Sequence, residues 1–319
     1  MTTAPPDSSG TVDRTGAGLL LALVSAVTFG LSGPFAKALI DAGWSATGAV
    51  LVRLGGAAAI LLVILAVRRP GVLAAIRADG PALVLYGLLA MAGVQLAFFN
   101  ALQYLPVAVA LLLEYTGPVL VIGWVWLVRR QPPSRRTVLG ALVALFGLTL
   151  VVQLWSGTGL STPGLLWGFA AAVCQASYFL IADRAGSDTP PLVLAGVGMT
   201  VGTVAVALLG LAGLLPIAVD TSATGVFLGA VDVGWPVAAT LLVVVASVIA
   251  YLTGVAAIAR IGAARGSLVA LLEVVASAVA SWLLLGQVPA AVQLVGGALI
   301  LAGVACTSGV PRPQLARRG

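Results

Sequence analysis

The sequence contains no histidine and only two cysteines, Cys174 and Cys306, each inside an apolar run. Histidine is the commonest metal ligand and a frequent proton carrier in enzymes, so its absence argues against a zinc-dependent or histidine-based active site. Two separated cysteines provide neither a disulfide framework nor a cluster of soft metal ligands. We therefore predict no catalytic residue, no metal site and no cofactor.

Charged residues are also scarce. They make up 8% of the 319 residues, and 61% of the residues are hydrophobic, whereas soluble domains contain about 25% charged residues. This composition predicts an integral membrane protein surrounded by the lipid bilayer. The net charge of +6 does not indicate nucleic-acid binding, because the arginines stand between apolar runs and form no basic patch interleaved with aromatic residues.

Motifs for ATP-driven transport and for intramembrane catalysis are missing. The sequence has no G-x-x-x-x-G-K-[ST] nucleotide-binding loop and no H-E-x-x-H zinc motif. It also has no pair of aspartates in facing apolar runs that would suit an intramembrane protease. We therefore do not expect an enzyme or an ATPase.

What the sequence does contain is a series of apolar runs long enough, or nearly long enough, to cross a bilayer as helices. They occupy residues 17–40, 46–66, 82–102, 107–128, 137–154, 164–182, 191–215, 236–258, 263–285 and 290–307. If consecutive runs cross in opposite directions, every Lys and Arg except Lys37 and Arg53 falls in connections on one side. The positive-inside rule then predicts a multi-pass protein of the plasma (inner) membrane with both termini in the cytoplasm.

The chain also repeats itself. Sliding residues 101–148 by 156 positions superimposes Ala101 on Ala257, Ala108 on Ala264, Leu112 on Leu268, Trp126 on Trp282, Gln131 on Gln287, Pro133 on Pro289, Gly140 on Gly296 and Gly147 on Gly303. Because each half would contain an odd number of spans, the second half must enter the membrane upside down. Inverted repeats are typical of alternating access around a site near the bilayer midplane.

The repeat defines the expected domain organisation. We predict two inverted five-helix repeats, residues 16–154 and 164–308. Residues 1–15 are polar and rich in Pro, Ser and Thr, and no apolar region before a small-residue cleavage site follows them, which favours a disordered cytoplasmic tail over a signal peptide. Residues 309–319 are expected to form a second cytoplasmic tail.

Glu114 lies in the first half of the run 107–128, and Pro118 follows it by four residues. Proline has no backbone N–H, so the Glu114 carbonyl loses its usual helical partner and the helix is weakened beside the carboxylate. An ionisable group inside the bilayer costs roughly 3 kcal/mol or more and is by default a functional candidate. We interpret Glu114 as a substrate-binding or ion-coupling residue and Pro118 as a helix break.

Glu273 and Arg53 are further charged residues deep inside predicted spans. Under the 156-residue offset Glu273 falls on Gly117, one helical turn from Glu114 in the equivalent helix, so the two glutamates share a face. Arg53 is expected at a depth similar to that of Glu114. The functional interpretation is that Arg53 binds a substrate carboxylate while Glu114 or Glu273 binds an ammonium group or a coupling proton. The structural alternative is a buried Arg53–Glu114 ion pair that only fixes helix packing.

Several polar residues in the spans are further candidates for the lining of a cavity. They are Lys37, Gln95, Asn100, Gln175, Tyr178 and Tyr251. Lys37 can instead extend to the lipid headgroups, and the neutral residues can bridge helices at about 1 kcal/mol or less each. Asp183 directly precedes Arg184 at the end of a predicted span, and we expect these two to form a solvated interfacial pair.

A family resemblance is carried by the ends of the two halves. These read PVAVALLLEYTGPVLVIGWVW…LGALVALFGL and GAARGSLVALLEVVASAVASWLLLGQ…LVGGALILAGV. They resemble the paired EamA domains of the drug/metabolite transporter (DMT) superfamily, and the first is similar to the threonine/homoserine exporter branch. The resemblance implies an all-α integral membrane fold of ten transmembrane helices. The family's acidic Gly-Glu near the end of the fourth and ninth helices is replaced by Arg130-Gln131 and Gly286-Gln287, so no role tied to that Glu transfers.

These observations predict a secondary transporter that moves a small metabolite by alternating access, in particular an exporter of amino acids or related compounds. The alternatives are uptake or drug and cation efflux by the same fold, and less favoured, an intramembrane enzyme or a non-transporting membrane scaffold. The expected partners are a small-molecule substrate and the lipid bilayer. The chain is predicted to act as a monomer or a homodimer.

Overall fold

The structure is a computed structural model, and nearly all of the chain that it describes is helical. It describes residues 9–68, 72–101, 104, 110, 113–152, 161–185, 189–222, 226–228, 231–286 and 288–308. The first half contains α1 (Ser9–Gly30), α2 (Ser32–Asp41), α3 (Ala46–Arg68), α4 (Val72–Tyr86), a π-helix (Gly87–Gly93), α5 (Val94–Ala101), α6 (Gly117–Leu127) and α7 (Arg135–Val152).

The second half repeats this pattern. It contains α8 (Thr162–Ala185), α9 (Pro191–Leu211), α10 (Gly234–Val243), a second π-helix (Val244–Ile249), α11 (Ala250–Ile261), α12 (Ala263–Ala270), α13 (Leu272–Leu285) and α14 (Ala291–Ser308). A short antiparallel hairpin of β1 (Phe227–Leu228) and β2 (Val231–Asp232) lies between α9 and α10. The hairpin, which the sequence did not predict, lies in the longest connection.

Seven helical segments in the described part of the chain are long and apolar enough to cross a membrane. They are Thr15–Asp41, Ala46–Val67, Leu73–Phe98, Thr162–Ala185, Pro191–Leu211, Gly234–Ile261 and Ala263–Leu284. Two further apolar segments, Gly117–Leu127 and Ala291–Cys306, are shorter. The helical membrane fold is therefore confirmed, whereas the count of ten spans stays a prediction.

Two sequence-based boundaries differ from the structure. The third span begins at Leu73 rather than at residue 82, because the helix continues through Pro81 by means of a kink at Asp79 (φ −132°, ψ 22°). The tail expected at 1–15 is already helical from Ser9, since no proline follows Pro6 in this stretch to prevent it. Residues 1–8 and the second predicted tail, 309–319, lie outside the described residues.

The 156-residue repeat reappears in the irregularities of the backbone. Shifting the π-helix 87–93 by 156 positions places it on 243–249, which is the second π-helix to within one residue. The turn at Tyr115 and Thr116 that precedes α6 falls on Leu271 and Leu272, where α12 ends and α13 begins. The two halves therefore share defects of the helix as well as helices, and such defects often mark functional sites.

The fifth helices of the two halves, α7 and α14, cross in backbone contact. A Cβ added at Gly147 would lie 2.6 Å from the Gly296 carbonyl oxygen, and a Cβ added at Gly303 would lie 2.5 Å from the Gly140 carbonyl oxygen. The repeat makes Gly140 equivalent to Gly296 and Gly147 equivalent to Gly303, so the two contacts exchange with each other. Such a reciprocal contact is what a two-fold axis between the halves requires.

Contacts between helix ends divide the connections into two groups. In one group, Trp44 Nε1 donates to the Asp220 carbonyl at 2.7 Å and Ser45 N donates to the Ala218 carbonyl at 2.9 Å. In the other, Arg129 pairs with Asp183. We call the side that contains Arg129 the basic side and the side that contains Trp44 the opposite side. This grouping agrees with the alternation of spans inferred from sequence, and the assignment of the basic side to the cytoplasm stays a prediction.

The glycine crossing yields a first prediction. Gly147→Ala should lower the temperature at which the detergent-solubilised protein unfolds, because the new methyl group has no room against the α14 backbone. Overpacking of a tight interface typically destabilises by about 1–3 kcal/mol. Size-exclusion chromatography after graded heating measures the loss of folded protein.

Gly123→Ala is the matched control for this experiment. Gly123 also lies inside a helix, α6, but a Cβ added there meets no atom within 4 Å, so alanine should leave the unfolding temperature unchanged or raise it slightly through its better helix propensity. Equal effects of the two substitutions would contradict the close crossing of α7 and α14.

Candidate functional site

A cavity of about 270 Å³ lies between the two halves of the chain. Helices α1, α2, α3 and α5 contribute from the first half, and α8, α11, α12 and α13 contribute from the second. Its polar and aromatic lining residues are Ser25, Phe29, Ser32, Arg53, Gln95, Phe98, Glu114, Tyr115, Gln175, Tyr178, Phe179, Tyr251 and Glu273. The structure therefore brings three of the four charged candidates from the sequence, Arg53, Glu114 and Glu273, to one cavity.

Glu114 projects from the end of a short helical segment, directly before the turn that precedes α6. The turn is held by Thr116, whose Oγ1 donates to the Leu113 carbonyl at 2.6 Å. Helix α6 then begins with Pro118 in its first turn, where the missing N–H of proline does no harm. Gln175 of α8 donates from Nε2 to Glu114 Oε1 at 3.3 Å. The carboxylate thus faces the cavity with a neutral amide as its hydrogen-bond donor.

Gly117 brings α6 and α8 close enough for this contact. A Cβ added at Gly117 would lie 2.5 Å from Gln175 Oε1 and 3.3 Å from the Ala172 carbonyl oxygen. The glycine at the position equivalent to Glu273 therefore allows Gln175 to reach Glu114. This position of the repeat allows close packing in the first half, where it is Gly117, and carries the carboxylate of Glu273 in the second half.

Glu273 lies in the first turn of α13, where the partial positive charge of the helix N-terminus stabilises a carboxylate. The Tyr115 hydroxyl lies beside the Glu273 carboxylate and can donate a hydrogen bond to it. On the backbone side, a Cβ added at Gly30 would lie 2.9 Å from the Glu273 carbonyl oxygen, so α1 packs directly against this turn. Glu273 is consequently held at the contact between the first helix of one half and the fourth helix of the other.

Arg53 is buried in α3 and faces the second half. Its Nε donates to Ser247 Oγ at 3.0 Å, and one terminal nitrogen donates to the Ala246 carbonyl at 3.4 Å. Its guanidinium carbon lies 6.0 Å from the centre of the Phe29 ring. Both hydrogen-bond acceptors belong to the second π-helix. A guanidinium has five N–H donors, so these bonds leave donors for a ligand in the cavity.

The alternative of an Arg53–Glu114 ion pair is absent from the structure. The ion pairs among the described residues are Lys37–Asp41, at 2.9 Å, and Arg129–Asp183. Arg53 is therefore held by neutral groups and an aromatic ring rather than by a carboxylate. No carboxylate of the described residues forms an ion pair with the Arg53 guanidinium.

Two candidates from the sequence do not line the cavity. Lys37 is exposed and pairs with Asp41 one turn later in α2, because Gly33 and Ala36 are the residues of that turn that face inward. Asn100 donates from Nδ2 to the Leu96 carbonyl at 2.8 Å within α5 and lies outside the lining. The expected Asp183–Arg184 pair is also wrong, since Asp183 pairs with Arg129 and neighbours on a helix face different directions.

Aromatic rings form one wall of the cavity. Tyr251 packs edge-on against Phe29 at 4.7 Å and against Tyr178 at 6.0 Å between ring centres. The Tyr178 hydroxyl is buried and has no hydrogen-bond partner among the described residues. A Cβ added at Gly254 would lie 2.4 Å from that hydroxyl oxygen, so glycine is needed there. The wall therefore offers a ligand apolar ring faces together with an unused hydroxyl group.

The described lining residues of the cavity on the basic side are buried. There its lining residues Ala257 and Ile258 are 1% and 2% exposed. Toward the opposite side, Gly33 is exposed and Ile40 is 39% exposed. Among the described residues of the lining, those toward the opposite side are therefore more exposed than those on the basic side.

Six polar or aromatic lining residues were not predicted from the sequence: Ser25, Phe29, Ser32, Phe98, Tyr115 and Phe179. Tyr115 follows Glu114 directly, and on a regular helix the two side chains would point about 100° apart. The turn at residues 115 and 116 brings both toward the cavity. The only sequence signal for this change of direction was Pro118, which predicted a break but not its geometry.

The chemistry of this arrangement is that of a binding site. The cavity offers two carboxylates, one guanidinium, neutral amides and aromatic faces, which together can hold a small charged or zwitterionic molecule. Among the described residues, no three His, Cys, Asp or Glu side chains are grouped so that they could hold a metal ion.

Comparison with known proteins identifies both halves. The sequence profile of the EamA-like transporter family matches residues 16–153 and again residues 162–309, which is close to the repeat boundaries inferred from sequence. A solved crystal structure aligns with 91% of this chain and 94% of its own, with a TM-score of 0.71 and 21% sequence identity. At this identity the structural match shows a shared fold.

Two bacterial relatives are described as transporters. An uncharacterized inner membrane transporter, YicL, of Salmonella typhimurium is 27% identical over 190 residues, 58% of this chain and 63% of that protein. An uncharacterized transporter, YyaM, of Bacillus subtilis is 26% identical over 264 residues, 82% of this chain and 83% of that protein. The chain thus spans less than two thirds of the first relative and most of the second.

Proposed function

Because the chain belongs to the EamA-like transporter family of the DMT superfamily, we propose that it is a secondary transporter that exports amino acids or related small metabolites by alternating access. The single observation that carries this proposal is the cavity between the two repeated halves, with Arg53, Glu114 and Glu273 in its lining. Inverted halves around a central site are the usual basis for alternating access.

The polar groups of the cavity support a zwitterionic substrate. Arg53 presents a planar guanidinium suited to a carboxylate, and Glu114 and Glu273 present acceptors suited to an ammonium group. The ring faces of Phe29 and Tyr251 would then contact the apolar part of the substrate. This arrangement satisfies both charges of an amino acid inside one cavity, which the lipid around it cannot do.

A second candidate, efflux of organic cations, is favoured by one specific observation. The Arg53 guanidinium already donates to Ser247 and Ala246, whereas neither glutamate has an ion-pair partner among the described residues. A cation could therefore bind through the carboxylates and aromatic rings alone. The two candidates differ in whether Arg53 contacts the substrate.

Flux into liposomes that contain the purified full-length protein tests transport directly. A panel of radiolabelled amino acids, polyamines and organic cations should reveal solute movement without chemical change. Product formation would instead indicate an enzyme, and the absence of both movement and chemistry across the panel would count against a transporter for these solutes.

Arg53→Gln separates the two substrate classes. If Arg53 binds a carboxylate, we expect the half-saturating concentration of a transported amino acid to rise about 10- to 100-fold, since a hydrogen bond to a charged group contributes roughly 1.5–3 kcal/mol. For the corresponding amine, which lacks the carboxylate but is otherwise identical to the amino acid, the half-saturating concentration should stay unchanged. Arg53→Lys is the control for charge without the planar fork. Equal effects on the acid and the amine would contradict a role in carboxylate recognition.

Glu273→Gln tests proton coupling. If a proton is carried by Glu273, the variant should lose flux driven by a pH gradient and retain exchange of labelled for unlabelled substrate, because glutamine keeps the shape of the side chain but cannot release a proton. Glu114→Gln in parallel assigns the role to one carboxylate or to both. Asp41→Asn, an exposed carboxylate outside the cavity lining, is the control, and unchanged pH dependence in Glu273→Gln would reject the assignment.

A further inference from the structure

Asp183 joins the ends of three helices on the basic side. Its Oδ2 pairs with a terminal nitrogen of Arg129, which lies just beyond the end of α6. Its Oδ1 accepts a hydrogen bond from the backbone N–H of Ala263, the first residue of α12, at 3.2 Å. Asp183 itself belongs to the last turn of α8. One carboxylate therefore connects α6 of the first half with α8 and α12 of the second.

The three-way contact lies directly below the floor of the cavity. Phe179, Ile258 and Gly266 form this floor, and a Cβ added at Gly266 would lie 3.0 Å from Ile258 and 3.7 Å from Phe179. Asp183 follows Phe179 by one helical turn, and Ala263 precedes Gly266 by three residues, so the contact is about 5 Å further toward the basic side. Separation of these helix ends would therefore displace the residues that form the floor.

The carboxylate of this pairing is shielded from solvent, whereas the arginine is partly exposed. The Asp183 side chain is 12% exposed and that of Arg129 is 36% exposed. A carboxylate that accepts both from a guanidinium and from a helix N-terminus has its charge well satisfied. Removal of Arg129 would leave the largely buried Asp183 carboxylate with fewer contacts, which is more unfavourable than the loss of a fully exposed pair.

The repeat offers no counterpart on the opposite side. The offset of 146 that superimposes Gly18 on Gly164 places Lys37 at the position of Asp183, and the offset of 156 places Leu285 at the position of Arg129. Lys37 pairs with Asp41 inside its own helix and so connects no second helix through that contact. Among the described residues, an ion pair between helices is thus present on the basic side and missing at the equivalent helix ends on the opposite side.

We propose that Arg129, Asp183 and the Ala263 N–H form a latch that holds the cavity closed on the basic side and must break when the cavity opens there. The proposal rests on the alternating-access function proposed above. On the opposite side the described helix ends are joined by neutral hydrogen bonds of Trp44 and Ser45 and by no ion pair between helices, so the ionic contact biases the protein toward the conformation in which the cavity is accessible from the opposite side.

Cysteine accessibility tests the latch without any substrate. In the full-length protein with Cys174→Ala and Cys306→Ala, Ala270→Cys places one thiol in the cavity lining, and a separate Ser134→Cys variant reports which vesicles expose the basic side. A membrane-impermeant maleimide is then applied to vesicles of each orientation. Arg129→Gln and Asp183→Asn should raise the rate of labelling of Ala270→Cys from the basic side by roughly tenfold, the change that about 1.4 kcal/mol produces in an equilibrium constant.

Conservative variants separate the two arms of the latch. Arg129→Lys keeps the positive charge, so the thiol of Ala270→Cys should be labelled nearly as slowly in this variant as in the parent protein. Asp183→Asn keeps an oxygen that can accept from the Ala263 N–H, whereas Asp183→Ala removes the contacts with both Arg129 and Ala263. The thiol of Ala270→Cys should therefore be labelled faster in Asp183→Ala than in Asp183→Asn. Lys37→Gln breaks the exposed ion pair on the opposite side and should leave labelling from the basic side unchanged.

The outcomes distinguish this proposal from the proposed function. Unchanged labelling in both Arg129→Gln and Asp183→Asn, with transport intact, overturns the latch alone. Faster labelling together with absent flux for the whole substrate panel supports the latch and counts against transport. Size-exclusion chromatography identifies a variant that fails to fold, and in that case Asp183→Asn, which loses one interaction and no volume, decides the question.

Discussion

The absence of hydrogen-bonding solvent in a bilayer is the constraint on which this structure depends. Every backbone polar group in contact with lipid must be paired inside a regular helix, so irregular backbone is tolerated only where protein or a polar cavity satisfies it. The irregularities here follow that rule. The turn at Tyr115 and Thr116, the end of α12 at Leu271 and the π-helix around Ser247 all adjoin residues that line the cavity or hold its side chains.

The two-fold relation between the halves provides the scaffold, and departures from it provide the chemistry. The backbone breaks occur at equivalent positions, but Glu114 is matched by Ala270 and Glu273 by Gly117. Ala270 also lines the cavity, and Gly117 admits Gln175 to Glu114. A symmetric arrangement of four carboxylates would place too many like charges in a small volume. One carboxylate per half, offset by a helical turn, avoids this repulsion while keeping both near the centre.

Much of the fold could be predicted from sequence because hydrophobic length, charge asymmetry and a fixed offset are properties of whole segments. The charged site residues could be predicted for a related reason, since burial of Arg53 or Glu114 is unfavourable enough to need a purpose. What failed depended on the direction of a single side chain. Lys37 lies one position from the cavity-facing Ala36, and a rotation of about 100° per residue is enough to turn it outward. Tyr115 was missed because a local turn, not a periodicity, directs it inward.

The cavity and the α7–α14 crossing have different mechanical roles. No described residue of α7 or α14 is part of the cavity lining, and their glycines bring the backbones into contact with no flexible side chain between them. A backbone contact of this kind resists sliding, because packed interfaces have discrete arrangements rather than continuous ones. The helix ends at Arg129, Asp183 and Ala263, in contrast, are joined by a side-chain carboxylate, a contact that can break without a change in backbone packing. The α7–α14 crossing is therefore suited to hold the two halves together, whereas the ends of α6, α8 and α12 are joined by contacts that can break.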